Sequence, residues 1–201
     1  MTLYFYCIAV FFLGAVPTAY LAGRLFKNID IRRHGSGNVG ATNAFRVLGK
    51  GPGALVFALD FFKGALPVLL FGVFFSPSDH SEFFRLMAGL VAVVGHVYTP
   101  LLGFKGGKGI ATGAGVLCAG YPHLFLITLG VWLATFFISK IVSLSSLVAV
   151  SMLAISGFLT VQNVAVKPVF LGMTCLVFWT HRSNITRLIR GEETSFGKTK
   201  K

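Results

Sequence analysis

The chain has 201 residues, of which 55% are hydrophobic and only 12% are charged, and its mean hydropathy is +0.78. This composition excludes an ordinary soluble domain and indicates an integral membrane protein of about six to eight helical spans, with no room for a separate soluble domain. The formal net charge of +12 does not indicate nucleic-acid binding, because the basic residues separate apolar runs and do not form one basic face.

Hydropathy and helix-breaking residues predict an all-α, polytopic membrane fold with seven transmembrane helices, in one domain covering residues 1–193. The predicted helices are, in chain order, residues 3–23, 53–75, 83–103, 109–119, 124–138, 144–161 and 165–181. The fourth and fifth are short, so six spans with a re-entrant segment near residue 109 are an alternative. We expect residues 194–201 to form a flexible polar tail.

The first loop carries the sequence GSGNVGATNAFRVLGK at residues 35–50, called here the first segment. Its glycines have the GxGxxG spacing of a dinucleotide site, but the βαβ unit that such a site requires does not surround them. What remains is a flexible backbone with hydrogen-bonding side chains (Ser36, Asn38, Thr42, Asn43) and Arg46, which suits a phosphate. The alternative is an interfacial loop whose Arg46 reaches lipid head groups.

Two charged residues, Asp60 and Lys63, lie three residues apart inside the second predicted span. An unpaired charge is costly there, so we predict a mutual salt bridge, close enough to the cytoplasmic end to brace the glycine segments or to line a polar pocket. His96, near the end of the third predicted span, is expected either to hydrogen-bond the following glycine segment or to be an ordinary buried histidine.

The second segment is FKGGKGIAT at residues 104–112. It is not a Walker A motif, GxxxxGK[ST], because Lys108 occupies the position of the glycine that comes directly before the lysine in that motif. The pattern fits an anion nest that opens a helix, in which the loop amides, Lys105, Lys108 and the positive helix N-terminus point at one oxyanion. A loop in which glycine only turns the chain and lysine only sets topology is the alternative.

The third segment is HRSNITRLIRGEE at residues 181–193, after the last predicted span. If the helix continues, His181 and Asn184 lie on one face, with Leu188 nearby against the membrane. A basic amphipathic anchor is the alternative, although His181 is also a candidate titratable group.

Most of the 18 basic residues fall in loops that alternate spans place on one side of the membrane, together with both glycine segments. The positive-inside rule therefore predicts an external N-terminus and a cytoplasmic C-terminus. The sequence has no HxxxxD signature, no GxSxG elbow and no clustered histidines and carboxylates, so we expect neither a metal nor a cofactor. Such a set of residues suits a substrate that arrives already activated.

Taken together, GSGNVGATNAFRVLG, GHVYTPLLGFKGGKGIAT and HRSNITRLIRGEE, with DFFKGALP at residues 60–67, resemble the PlsY family of bacterial acyl-phosphate:glycerol-3-phosphate acyltransferases. The similarity covers nearly the whole chain, in the same order. The resemblance implies a small inner-membrane enzyme of phospholipid biosynthesis whose active site faces the cytoplasm. It would transfer a fatty acyl group from acyl phosphate to the sn-1 hydroxyl of glycerol 3-phosphate, giving lysophosphatidic acid and phosphate.

With this resemblance, the candidate site residues have three expected roles. The candidate catalytic residues are Ser36, Arg46, Lys105, His181 and Asn184. The candidate substrate-binding residues are Gly37, Asn38, Thr42, Asn43, Gly106, Gly107, Lys108, Gly109 and Thr112. The expected structural residues are Asp60, Lys63, His96 and Glu193. We expect direct attack by the glycerol hydroxyl, with either His181 or a phosphate oxygen of the donor accepting the proton.

A transporter or flippase for a small phosphorylated or anionic-lipid cargo is the main alternative from another class. It would explain the cationic loops and the charges within a span, but transport sites tend to lie near the bilayer midplane. A non-catalytic scaffold that binds anionic lipid is a third possibility. Membrane lipids are expected partners, and the sequence does not predict an oligomeric state.

Overall fold

The apolar runs of the sequence form helices in the computed structural model, which describes residues 2–75 and 81–196. Neither of these ranges contains a β-strand, which confirms the predicted all-helical class. The helices in these ranges are α1 (Leu3–Ala15), α2 (Thr18–Lys27), α3 (Ala41–Leu48), α4 (Lys50–Phe74), α5 (Ser81–Val97), α6 (Ile110–Gly120), α7 (Pro122–Ser139), α8 (Val142–Thr160), α9 (Lys167–Thr180) and α10 (Arg182–Ile189).

Five helical segments of the described residues are long and apolar enough to cross a membrane. They are Leu3–Lys27, Lys50–Phe74, Glu82–Leu102, Pro122–Ser139 and Val142–Thr160. A sixth is present if α9 and α10, which form a bent pair, count as one span. Helix α6 has only 11 residues, fewer than the roughly 20 that a complete crossing needs. Helices therefore lie at all the predicted positions, while seven complete spans stay a prediction.

The chain divides into two compact units, Met1–Gly120 and Tyr121–Lys201. The first contains α1 to α6 and both glycine segments, and the second contains α7 to α10 and the third segment. The single domain predicted for residues 1–193 stays a prediction.

In the first unit, the first predicted span is interrupted between α1 and α2. Pro17 has no N–H and cannot continue the hydrogen-bond ladder of the helix. The carbonyl of Ala15 accepts a hydrogen bond from Thr99 Oγ1 (2.5 Å), and that of Val16 accepts one from Lys63 Nζ (2.6 Å). Buried carbonyls need hydrogen-bond partners. Lys63, in α4, and Thr99, in the turn after α5, supply these partners and so stabilise the interruption.

Helices α4 and α6 pack closely because a glycine of each helix faces the backbone of the other. A Cβ added to Gly64 of α4 would collide with the carbonyl of Thr112, and one added to Gly115 of α6 would collide with the carbonyl of Phe61. Small residues permit this close approach between membrane helices. The beginning of α6, which follows the second segment, is thereby held against α4.

Both glycine segments lie at the same end of the first unit. Leu102, which precedes the second segment, is buried in a core cluster with Ile31, Val39 and Ala44 from around the first segment. The same cluster includes Val56 of α4. The two regions predicted to bind anions are therefore neighbours in the fold.

In the second unit, the chain bends by 61° between α9 and α10, at His181. The last helix thus does not continue straight, yet His181 and Asn184 are both buried. The chain then returns toward the end of α7: the Phe196 N–H donates to the Lys140 carbonyl (2.7 Å), and the Phe196 ring contacts Phe136. This part of the predicted tail has contacts, and residues 197–201 lie outside the described residues.

Candidate functional site

The first segment is shaped by the side-chain amide of Asn43, in the first turn of α3. Its Oδ1 accepts a hydrogen bond from the N–H of Ser36 (2.9 Å). Its Nδ2 donates to the carbonyls of Asn38 (2.9 Å), His34 (3.1 Å) and, at 3.4 Å, Ile31. Asn43 is only 1% exposed, so its amide is used to hold the loop. A direct contact between Asn43 and a substrate stays a prediction.

The loop that Asn43 holds exposes the two residues predicted to be catalytic in this segment. Ser36 is exposed in a turn, and Arg46 is exposed on α3. Gly35 and Gly37, on either side of Ser36, have φ angles of +61° and +72°, a left-handed backbone that favours glycine. The half-buried candidates of the segment are Gly37, Asn38 and Thr42. The glycines on both sides of Ser36 therefore permit the turn that exposes its side chain.

Asp30 is the carboxylate nearest in sequence to this segment, and it is paired with Arg32 (2.8 Å). The side-chain hydrogen bond from Arg32 lowers the pKa of Asp30 to about 2. The carboxylate is therefore ionised and paired at neutral pH, which makes it a weak proton acceptor.

The second segment is fastened to the end of α5 through its own backbone. The N–H of Gly106 donates to the carbonyl of Val97 (2.9 Å), and the N–H of Gly107 donates to the carbonyl of His96 (3.1 Å). Gly107 also packs so closely on the His96 ring that a Cβ there would collide with Nε2. The last carbonyls of a helix have no partner within it, and here the loop supplies partners. This corrects the expectation that all the loop amides point at one anion.

The N–H donors best suited to an anion lie at the start of α6. Gly109, with a φ of +81°, turns the chain into this helix. The first N–H groups of a helix lack acceptors within it and form the positive end of its dipole. Lys105 is exposed and Lys108 half-buried just before this turn, and Thr112 is buried in the first turn of α6. Two ammonium groups beside a helix N-terminus form a site suited to phosphate.

Asp60, Lys63, Thr18 and His96 form a buried polar cluster, called here the Asp60 network. Asp60 Oδ1 accepts hydrogen bonds from Lys63 Nζ (2.7 Å) and Thr18 Oγ1 (2.5 Å), and His96 Nδ1 lies 3.6 Å from the same oxygen. None of the four residues is more than 7% exposed. The predicted salt bridge between Asp60 and Lys63 is confirmed. His96 also makes the predicted hydrogen bond to the second segment, in which its backbone carbonyl accepts from the Gly107 N–H.

In the second unit, Glu193 connects the residues of the third segment. Its Oε1 accepts hydrogen bonds from Ser143 Oγ (2.7 Å) and Asn184 Nδ2 (2.6 Å), and its Oε2 accepts one from Arg187 Nε (2.6 Å). Burial alone would raise the pKa of Glu193, but the three hydrogen bonds and the charge of Arg187 outweigh it and hold the pKa below its usual range. The ionised Glu193 thus fixes the orientation of the Asn184 amide.

His181 has a defined tautomer in this structure. Its Nδ1 lies 2.9 Å from the carbonyl oxygen of Val177. A carbonyl can only accept, so Nδ1 carries the hydrogen and Nε2 is the basic nitrogen of the neutral ring. This is the arrangement that a proton acceptor acting through Nε2 requires.

Three hydroxyl groups that the sequence did not single out complete these networks. Thr18 bonds Asp60, Thr99 bonds the carbonyl beside the interruption of the first span, and Ser143 bonds Glu193. Thr18 and Thr99 each stand next to a proline within an apolar run, and this pattern could have identified both threonines from the sequence. Ser143 gave no such signal, because its partner is 50 positions away in the chain.

The family model for glycerol-3-phosphate acyltransferase matches residues 4–191 of the chain. The chain is 41% identical over 186 residues to glycerol-3-phosphate acyltransferase 2 of Lactobacillus acidophilus, covering 92% of this chain and 86% of that protein. It is 43% identical over 188 residues to the glycerol-3-phosphate acyltransferase of Parasynechococcus marenigrum, covering 94% of this chain and 87% of that protein.

Two crystal structures of PlsY, an integral membrane glycerol 3-phosphate acyltransferase, have the same fold. Its glycerol 3-phosphate form matches with a TM-score of 0.89 and 38% identity, over 97% of this chain and 96% of that chain. Its lysophosphatidic acid form matches with a TM-score of 0.87 and the same identity, over 97% and 95%. The family model, the curated relatives and the solved structures each match more than nine-tenths of the chain, and the chain therefore belongs to the glycerol-3-phosphate acyltransferase family.

Proposed function

We propose that this membrane acyltransferase transfers a fatty acyl group from acyl phosphate to the sn-1 hydroxyl of glycerol 3-phosphate, giving lysophosphatidic acid and inorganic phosphate for phospholipid biosynthesis. The observation that carries the proposal is the lysine-flanked start of α6, which lies at the same end of the first unit as a second cationic glycine segment. Two phosphorylated substrates account for two such segments. The two forms of the similar PlsY structure, named for glycerol 3-phosphate and lysophosphatidic acid, support the acceptor and the product.

The cationic groups of the first unit bind the phosphates in this proposal. Lys105, Lys108 and the start of α6 bind the phosphate of glycerol 3-phosphate, whose charge suits ammonium groups and helix N–H donors. Arg46 binds the donor phosphate with its planar guanidinium and stabilises the charge that develops during transfer, while Ser36 orients the donor carbonyl.

The transfer needs no protein nucleophile, because acyl phosphate is a mixed anhydride with a good leaving group. The hydroxyl oxygen of glycerol 3-phosphate attacks the acyl carbon and forms the ester bond, and the bond from that carbon to the phosphate oxygen breaks, with its electrons leaving on phosphate. The hydroxyl proton passes to Nε2 of His181 or to an oxygen of the departing phosphate. Asn184 orients the hydroxyl through Oδ1, since its Nδ2 donates to Glu193 and an oxygen acceptor suits a hydroxyl group.

The transporter or flippase alternative has less support once the charged pair is seen in the fold. Asp60 and Lys63 bond each other, and Lys63 also donates to Thr18 and to the carbonyl of Val16. The pair therefore has a role in stabilising the first unit, and within the described residues no observation favours a transport site.

A donor comparison with the purified protein tests the proposal. Labelled glycerol 3-phosphate is incubated with acyl phosphate and, in parallel, with acyl-CoA and with an acyl carrier protein thioester. We expect lysophosphatidic acid from acyl phosphate only. Product from a thioester alone would change the donor and keep the enzyme class, and no product from any donor would refute the enzyme assignment.

A pair of conservative variants separates a phosphate clamp from a scaffold that binds anionic lipid. Arg46→Lys keeps the charge but loses the two-pronged geometry of the guanidinium, so we expect kcat/KM to fall by at least ~10-fold. Arg33→Lys, at an exposed position of the same loop, is the matched control and should keep wild-type activity. Equal activity of the two variants would refute the clamp, because Arg46 would then contribute no more than its charge.

We place the enzyme in the bacterial inner membrane, with its N-terminus outside and its active site facing the cytoplasm. The distribution of basic residues supports this orientation, and the similarity to an integral membrane acyltransferase supports the membrane location.

A further inference from the structure

The Asp60 network occupies a position that its charge pair alone does not explain. It lies where α2 begins, at the middle of α4 and at the end of α5, so three helices of the first unit meet at one carboxylate oxygen. All of its side chains are buried, so none of them lies at the surface of the unit.

Lys63 has three hydrogen-bond partners inside the protein, the number that an ammonium group can satisfy. Its Nζ donates to Asp60 Oδ1 (2.7 Å), Thr18 Oγ1 (3.1 Å) and the carbonyl of Val16 (2.6 Å). No hydrogen remains for a substrate phosphate. The charge is therefore used to hold α4 against the interruption between α1 and α2.

His96 joins this network to the second segment. Its Nδ1 faces Asp60 Oδ1 at 3.6 Å, its carbonyl accepts the hydrogen bond from Gly107, and its ring packs against the Gly107 backbone. Gly106 is bonded to the next carbonyl of α5, that of Val97. Any displacement of the His96 ring therefore reaches Gly107, and α6 begins only three residues later.

We propose that Asp60, Lys63, Thr18 and His96 are positioning residues that set the second segment and the start of α6 in the geometry that binds phosphate. They act through the backbone of Gly106 and Gly107 and do not touch the substrate. The inference rests on the proposed function in naming glycerol 3-phosphate as the ligand of this segment.

The positioning role differs from simple stabilisation in what it changes. Loss of general stability lowers the melting temperature and affects both substrates equally, whereas a displaced second segment weakens glycerol 3-phosphate binding and leaves the donor largely unaffected. The affinity for each substrate and the melting temperature must therefore be measured on the same variants.

The sharpest variants are at Thr18, because threonine and valine have nearly the same shape. Thr18→Val removes the hydroxyl that bonds Asp60 and Lys63, and Thr18→Ser keeps it. Thr174→Val is the matched control, since Thr174 is equally buried and its hydroxyl bonds the carbonyl of Val150 in the second unit. Lys63→Met removes the charge itself and is the second variant of the network.

The experiment measures the Kd of glycerol 3-phosphate by calorimetry, the KM of both substrates and the melting temperature. We expect Thr18→Val and Lys63→Met to raise the Kd and KM of glycerol 3-phosphate by ~10-fold, the loss expected from one hydrogen bond to a charged group. The KM of acyl phosphate should change by less than about twofold. Thr18→Ser should restore the wild-type values, and Thr174→Val should lower only the melting temperature.

Three outcomes with folded variants overturn the proposal. It fails if folded Thr18→Val keeps the wild-type affinity for glycerol 3-phosphate, if both KM values rise together, or if Thr174→Val has the same effect. If Lys63→Met does not fold, the Thr18 pair still decides. If the wild-type protein makes no product from any donor, the proposed function fails separately, and the Kd of glycerol 3-phosphate or of inorganic phosphate still tests the network. Absence of binding of both would refute the network, since no phosphate site would exist to be positioned.

Discussion

In both glycine segments, some residues hold the loop in shape through internal hydrogen bonds, and others have side chains that the loop exposes. The amide of Asn43 and the N–H groups of Gly106 and Gly107 are used inside the protein. The exposed groups include Ser36 and the cationic side chains Arg46 and Lys105. In the proposed site the buried neutral groups decide where the charges lie, so we expect anion binding to depend on them as well as on the charges.

Asn43→Asp is predicted to inactivate the enzyme although the two side chains have almost the same shape. The aspartate keeps the acceptor for the Ser36 N–H but turns a second oxygen toward the carbonyls of Asn38 and His34. The Asn38 carbonyl loses its donor, and the His34 carbonyl keeps only the hydrogen bond from the Gly37 N–H. Leaving one such acceptor unpaired costs about 1–3 kcal/mol, and the second oxygen also repels the carbonyls that it faces. We expect kcat/KM to fall by at least ~10-fold and the melting temperature by about 3 °C or more.

The control for this variant is Asn28→Asp, at the exposed left-handed end of α2. Aspartate tolerates that backbone conformation almost as well as asparagine. Its kinetics and melting temperature should match the wild type. Wild-type values for Asn43→Asp would show that the loop does not depend on the amide.

Glu193 is predicted to make the stability of the protein sensitive to acid. Its pKa is held below the ordinary value of about 4.3 by hydrogen bonds from Ser143, Asn184 and Arg187. A lowered pKa contributes stability that is fully present above the unfolded pKa and is lost as the pH falls through the folded pKa. The melting temperature of the wild type should therefore fall as the pH is lowered from about 5 to below 4.

The variant Glu193→Gln isolates this contribution. We expect it to have a lower melting temperature than the wild type at pH 7 and a smaller fall in acid, because the neutral amide has no proton to gain. Glu192→Gln, at the exposed neighbouring position, should follow the wild-type curve. Parallel curves for Glu193→Gln and the wild type would contradict the assignment.

Among the helices, hydropathy predicted the positions of the apolar segments but not their internal breaks. The first predicted span is interrupted at Pro17, whereas the bend at His181 lies at the predicted end of the last span. Hydropathy measures only how apolar a stretch is, whereas an interruption is stable only when its carbonyls find partners. Those partners, Lys63 and Thr99, lie far away in the sequence, so nothing in the residues around Pro17 connects them to the interruption.

The packing of α4 on α6 gives a prediction with its control in the same helix. Gly64→Ala places a Cβ against the carbonyl of Thr112 in the first turn of α6, and such overpacking costs about 1–3 kcal/mol. We expect a lower melting temperature and, because α6 begins at the proposed phosphate site, a higher KM for glycerol 3-phosphate. Gly72→Ala adds a Cβ that meets nothing within 4 Å, so it should be neutral or slightly stabilising. Equal behaviour of the two variants would mean that α6 can shift at no cost.

At the scale of the whole molecule, the sequence identifies candidate cations for the site but not the hydrogen bonds around them. Charge and glycine content are local properties, so Lys105, Lys108 and Arg46 could be identified as candidates without a structure. Which N–H groups face an anion depends instead on the carbonyls at the end of α5, which accept from Gly106 and Gly107. The salt bridge between Asp60 and Lys63 was predictable because a buried charge needs a partner and the two share one helix.

Seven complete spans and a re-entrant α6 make opposite predictions for α7, whose flanking residues His123 and Lys140 are both exposed. With seven spans and an external N-terminus, His123 lies outside and Lys140 lies in the cytoplasm. The test of this topology uses a variant in which Cys7, Cys118 and Cys175 are replaced by alanine. An impermeant maleimide should label His123→Cys in intact spheroplasts and Lys140→Cys only after permeabilisation.

Lys50→Cys, exposed at the start of α4, is the control, because both topologies place it in the cytoplasm and it should react only after permeabilisation. If His123→Cys is protected and Lys140→Cys reacts in intact spheroplasts, α6 enters and leaves on the cytoplasmic side. Every later crossing is then reversed, and the third segment with His181 and Asn184 faces outward, away from the side that holds both glycine segments. That outcome would contradict a single cytoplasmic active site, because the proposed transfer needs the phosphate-binding cations and Asn184 on the same side of the membrane.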